Sequence, residues 1–172
     1  MIEAEFLTYS ADELLVLSNR IQDCLGRLTA DQVWTRGSNH ENSVGNLVLH
    51  LCGNVRQWII SGVGGDPDIR DRDSEFAARG GMQPAELAAK LRSTTGDAAI
   101  VIRKFPPERL SDHKTIQKIY EVSMMEAIYH VVEHFSMHTG QLIFITKMLT
   151  GDDLGFYRHL SKAATAHGEK TP

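Results

Sequence analysis

Between positions 123 and 151 the chain carries a single unbroken helical pattern. Ser123-Met124-Met125-Glu126 has the form of a capping box, in which the serine oxygen and the glutamate three residues on satisfy two orphan amides at a helix start. Gly151 supplies the left-handed position at which helices commonly stop. Between them Ala127, Val131, His134, His138, Leu142 and Ile145 recur at steps of three and four, which places them on one face. An apolar face that long must be covered along its length, and partner helices do this most simply.

The rest of the chain supplies the partners. Leu14, Leu17, Ile21, Leu25 and Leu28 predict a first helix over Ile2 to Leu28. Thr29-Ala30-Asp31-Gln32 is a second capping box, opening a short turn of helix that ends near Trp34. A second long helix is expected from Asn42 or Ser43 into the Gly62–Gly65 stretch, with Val44, Leu47, Leu51, Val55 and Trp58 as its stripe. Asp66 to Gly81 is charged and glycine-flanked, an irregular connection that is either a lid over a groove or a solvated loop. A third helix starts at Gln83-Pro84 and presents Leu87, Leu91, Ala98 and Val101. Gly96 weakens its middle, and Pro106-Pro107 end it. Lys114 to Val122 is compatible with strand, turn or helix. Four long amphipathic segments with almost no strand signal define an all-α bundle. Residues 1–151 form it, and 152–172 add a short helix over Phe156 to Ala166 and a fraying polar tail.

A length of 172 residues suits one domain with a sizeable core. The net charge of −4 is mild and the basic residues are scattered, so no basic face for nucleic acid is expected. No apolar run is long enough to span a bilayer; the longest, around Leu142 to Leu149, is broken by Thr146 and Lys147. The first residues are acidic where a secretory signal is basic, and the expected location is cytoplasmic. Cys24 and Cys52 form no ligand motif and are read as buried apolar side chains.

His130, His134 and His138 are four residues apart on the predicted last helix and project from neighbouring points of one face. His50 lies on another predicted helix, at the edge of its apolar stripe. A single inward histidine is usually a hydrogen-bonded core residue. Several in register on an apolar face are costly to bury without partners, and a shared metal is such a partner. The spacing leaves the pairs His130/His134 and His134/His138 equally open. His130-Val131-Val132-Glu133-His134 also fits the H-x-x-E-H pattern of inverted zinc proteases, but those enzymes use larger folds rich in strands. Three protein ligands leave a position for water or substrate, as in a catalytic site.

The stretch from His130 to Gln141, with His134, His138, Gly140 and Gln141 in the order His-x-x-x-His-x-Gly-Gln, resembles the metal motif of the DinB-like family. The Asn46–Leu51 stretch, with His50, resembles the source of that family's first ligand. The resemblance implies an antiparallel four-helix bundle with long crossover connections. It implies a divalent metal on His50, His134 and His138, with water in the remaining positions, and a homodimer. It places His130 at the rim or behind the ligands, and makes His130, Gln141 and Asn54 the candidates to support the ligands from behind. Gly140 would allow close helix approach, and Trp58 is core or pocket wall. Characterised members of the family use mycothiol, bacillithiol or glutathione in metal-dependent transfer or isomerisation.

The expected function is therefore a metal-dependent enzyme in which a thiol or water attacks a small-molecule electrophile. Two other readings stand beside it: a non-catalytic metal-binding, stress-response or small-molecule-binding bundle, and a structural bundle whose histidines are core residues. Zinc is the first expectation for the metal, and nickel and iron suit the same ligands.

Overall fold

The structure, a computed structural model, describes residues 2–160 and is mostly helical. Helix α1 spans Ile2–Leu25. It stops a turn before Leu28, because the amides of Arg27 and Leu28 reach back only three residues, to the carbonyls of Cys24 and Leu25. Leu28 is nevertheless buried. Helix α2, Ala30–Trp34, begins with the expected capping box between Thr29 and Gln32.

Helix α3, Val44–Val55, is capped by Ser43, whose side chain accepts from the Asn46 amide. It does not continue as an α-helix to the glycines. Arg56–Val63 winds instead as a π-helix, a wider geometry that is rare and frequent at functional sites. The expected irregular connection after it contains a further short helix, α4, over Arg72–Ala77, with Asp71 as its cap.

Helix α5, Pro84–Lys104, has proline in its first turn and the reciprocal Gln83–Glu86 cap. Gly96 does not interrupt it. Ala99 and Ile102 fill the place expected of Val101, which is only half-buried. A 3-10 turn over Pro107–Arg109 follows.

The ambiguous segment is a β-hairpin. Strand β1, His113–Ile116, pairs antiparallel with β2, Tyr120–Ser123. Its turn places Gln117 and Lys118 at φ 54 and 64, where glycine or asparagine is usual. Lys114 Nζ ties the hairpin to the π-helix by donating to the carbonyls of Ser61 and Gly62. Helix α6, Met124–Thr150, has both expected ends: the Ser123–Glu126 box and Gly151 at φ 71.

Helix α1 packs on α5 and α6, and α3 with its π extension packs on the same two helices. Leu14, Ile21, Leu51, Ile59, Leu91, Ile102, Phe135 and Leu142 are the large, fully buried side chains at the centre. Among the described residues no helix is long and apolar enough to cross a membrane. The predicted C-terminal helix over Phe156 to Ala166 extends beyond the described residues.

Candidate metal centre

Two stripes run along α6. Ala127, Val131, Phe135, Thr139, Leu142 and Thr146 are buried, while His130, His134 and His138 lie on the half-buried flank beside them. On α3, Leu47, Leu51 and Val55 face the core. His50 sits between that stripe and solvent and is buried by what lies over it.

The helix contact brings three of these histidines together. Nε2 of His134 lies 3.2 Å from Nε2 of His50 and 3.1 Å from Nε2 of His138. One ligand nitrogen from each falls within 4.8 Å of the others, so the three can hold a metal ion. His130 is outside this trio. Its ring lies 5.6 Å from that of His134 and packs on Trp58 at 4.2 Å, with Tyr120 of the hairpin 5.9 Å beyond Trp58. Glu133, the glutamate of the inverted-protease pattern, is exposed on the helix.

What lies behind the ligands decides their tautomers. Glu75 of α4 places Oε2 3.2 Å from His50 Nδ1. Arg70 Nη2 lies 3.1 Å from the same nitrogen but donates more closely to the carboxylate, at 2.9 Å; the tautomer that donates Nδ1–H to Glu75 leaves the lone pair on Nε2. Gln141 places Oε1 2.7 Å from His138 Nδ1, with the same consequence. Two acceptor nitrogens thus point at His134 Nε2, and a proton there can serve only one of them. A cation among the three satisfies all, so the residues present fit a divalent metal. His134 Nδ1 is buried without a partner among the described residues.

Arg70 and Glu75 were not singled out by sequence reasoning. Arg70 clamps the carboxylate through Nε to Oε1 at 2.8 Å and Nη2 to Oε2 at 2.9 Å, and both side chains are over nine-tenths buried. Burial raises the Glu75 carboxyl, but the hydrogen bonds from Arg70 and His50 outweigh it and hold it below its ordinary range. Phe76 covers the other side of His50, ring to ring at 4.8 Å. Asn54 is buried one turn beyond His50, and the hydrogen bonds of the three clustered histidines go elsewhere. Gly140, expected to admit a neighbouring helix, faces open space: a Cβ there would meet nothing within 4 Å. Cys24 and Cys52 are free and buried, as expected.

Burial lowers the proton affinity of His134, and the nearby His138, His50, His130 and Arg70 lower it further, to about 3. Burial also lowers His138, against the opposing Gln141 bond, and His130. In the unfolded chain these imidazoles take protons near pH 6.5; in the folded chain they do so only at lower pH. The metal-free fold is therefore expected to lose stability as pH falls below about 6.5, in the direction set by linkage. Loss of the Glu75 clamp at still lower pH acts in the same sense. Thermal midpoints of chelator-treated protein between pH 8 and 4 check this, and a flat or rising profile toward acid contradicts it.

Fold and site together define a helical protein with a three-histidine cluster between two of its long helices. Residues 1–163 match the model of the DUF1572 family, described as a protein of unknown function, and the chain belongs to that family. Solved structures share its fold, among them the following two. A conserved protein from Enterococcus faecalis superposes with a TM-score of 0.71 at 18% identity, over 84% of this chain and 96% of that one. A DinB-like protein from Bacillus subtilis, YjoA, superposes with a TM-score of 0.66 at 15% identity, over 87% and 97%. The fold is thus DinB-like. No curated protein matches the sequence.

Proposed function

We propose that this chain is a divalent-metal-dependent enzyme in which a low-molecular-weight thiol or water attacks a small electrophile, with His50, His134 and His138 as the protein ligands. The observation that carries the reading is the meeting of three Nε2 atoms, two of them fixed as acceptors from behind. A divalent ion held there lowers the pKa of water or a thiol and polarises a carbonyl. Three protein ligands keep coordination positions open, and three imidazoles suit zinc first, nickel and iron next.

The remaining roles fall to the chain's own groups. Glu75 and Gln141 keep their protons on the Nδ1 atoms of His50 and His138 and so aim Nε2. Trp58, His130 and Tyr120 form an aromatic wall beside the cluster, suited to a planar or apolar substrate body. His130, held neutral by burial, meets a substrate as a hydrogen-bonding imidazole rather than a cation. The same reading takes the long helices as an antiparallel four-helix bundle with crossover connections. It takes the chain as a homodimer, supported by the exposed Tyr129, Phe144 and Met148 on α6 and Tyr9 and Val16 on α1.

The test is a panel of small electrophiles offered to zinc- and nickel-loaded protein with glutathione, bacillithiol, mycothiol or water. Turnover that a chelator abolishes is expected. Stoichiometric metal with no turnover across the panel leaves the non-catalytic metal-binding reading. Sedimentation of the same samples checks the dimer, and a monomer at micromolar concentration removes it.

A further inference from the structure

The segment between the π-helix and α5 lies against one face of α3, and Asn46, His50 and Gly53 mark that face. These positions are four and three apart, so they align along one stripe beside the core stripe. Each meets a different part of the segment. Asn46 Nδ2 donates to the carbonyls of Glu75 at 2.8 Å and Ala78 at 3.0 Å. Arg36 Nη2 donates to the carbonyls of Phe76 and Ala78 at 3.1 and 3.2 Å and to Asn46 Oδ1. The last carbonyls of α4, which the helix cannot satisfy itself, are thereby taken up. His50 donates to Glu75. Gly53 leaves the space the Glu75 carboxylate fills: a Cβ there would collide with Oε1 and stand 2.7 Å from Cδ and 3.0 Å from Arg70 Nε.

We propose that Glu75, clamped by Arg70 and seated on Gly53, is the positioning residue of the metal centre, and that residues 66–78 dock as a strap whose seating and metal binding reinforce each other. The inference rests on the metal reading above. Its physical basis is that a carboxylate accepting the far ring proton of a ligand histidine fixes ring orientation and raises ligand basicity, an effect of 10–100-fold in metal affinity in general. Arg70 donates to both oxygens of the carboxylate, through Nε and Nη2, and so holds Glu75 facing His50. Gln57 accepts from Arg70 Nη1 at 2.9 Å and donates to Asp68 at 2.7 Å, tying the start of the strap to the π-helix. Linkage requires the coupling to run both ways. If the seated strap tightens the metal, the metal must hold the strap seated.

The experiment titrates zinc, against a competing chelator, into the metal-free full chain and the Glu75→Gln and Gly53→Ala variants. Cobalt(II) absorption reports ligand geometry in each. Tryptic cleavage at Arg72 on the strap and at Arg79 just after it, both exposed, is timed with and without zinc. The wild type is expected to bind one equivalent and to be cut more slowly when loaded. Glu75→Gln keeps the shape and an acceptor but not the charge, and is expected to weaken zinc about 10-fold, change the cobalt spectrum and lose most of the protection. Gly53→Ala, which favours the helix by propensity, should weaken zinc at least as much by displacing the carboxylate. Wild-type affinity and spectrum in either folded variant, or wild-type cleavage that zinc leaves unchanged, overturns the strap. A wild type that binds neither zinc nor cobalt overturns the metal reading instead.

Discussion

Replacing His134 with alanine is expected to take the protein from one retained equivalent of transition metal to none. His134 is the middle member: its Nε2 is the atom within 3.1 and 3.2 Å of both other nitrogens. Without it, two imidazoles from different helices remain. The same substitution should leave the metal-free fold unharmed or slightly firmer. Without metal, His134 faces two acceptor nitrogens with at most one proton, and its Nδ1 is buried unpartnered. Strain of this kind is held in place by the surrounding fold for the sake of a site. Metal at 100 times its dissociation constant adds about 2.7 kcal/mol to the wild type, a rise of roughly 5–10 °C in Tm for a chain of this size. His134→Ala should show no such rise. Elemental analysis of untagged protein and paired melts with and without zinc measure both effects. An equivalent of metal retained by the variant, or none in the wild type after reconstitution, defeats the assignment.

The parts of this fold that were legible in the sequence are those whose signals are local. Ser123 with Glu126, Gly151, Thr29 with Gln32, and Ser43 each fix a helix end through bonds spanning three or four residues. The histidine spacing marked the flank of α6 and His50 stood out at the edge of its own stripe, but the choice of pair on α6 was left open and came from the resemblance. Glu75 and Arg70 were hidden for a different reason. They lie 25 and 20 residues from His50, in a stretch whose charges read as solvated. Their burial follows from packing against α3, which no periodicity records. Gly53 in the helix was the one local trace, since a glycine three residues after His50 costs helix stability unless something needs the space. The π-helix and the hairpin were likewise settled by tertiary contacts: Lys114 on the carbonyls of Ser61 and Gly62 joins one to the other.

Phe135→Ala should separate the two duties of α6. Phe135 is fully buried, the largest such side chain in the described core, and adjoins His134 in sequence. Its truncation leaves a cavity that rigid helices on either side can close only in part, and the expected cost is about 3–5 kcal/mol, a fall of roughly 6–20 °C in Tm. The metal should be little affected in the molecules that stay folded. The ligand spacing of four residues is set by backbone hydrogen bonds that the substitution leaves intact, and His50 is held by Glu75 rather than by Phe135. Thermal melts of metal-free protein and zinc titration at low temperature, where the variant remains folded, give the two quantities separately. A variant that keeps its midpoint would mean the core relaxes around the loss. One that keeps its midpoint yet loses zinc would mean that core and centre are not divided between the two stripes of this helix, and that Phe135 supports the ligands directly.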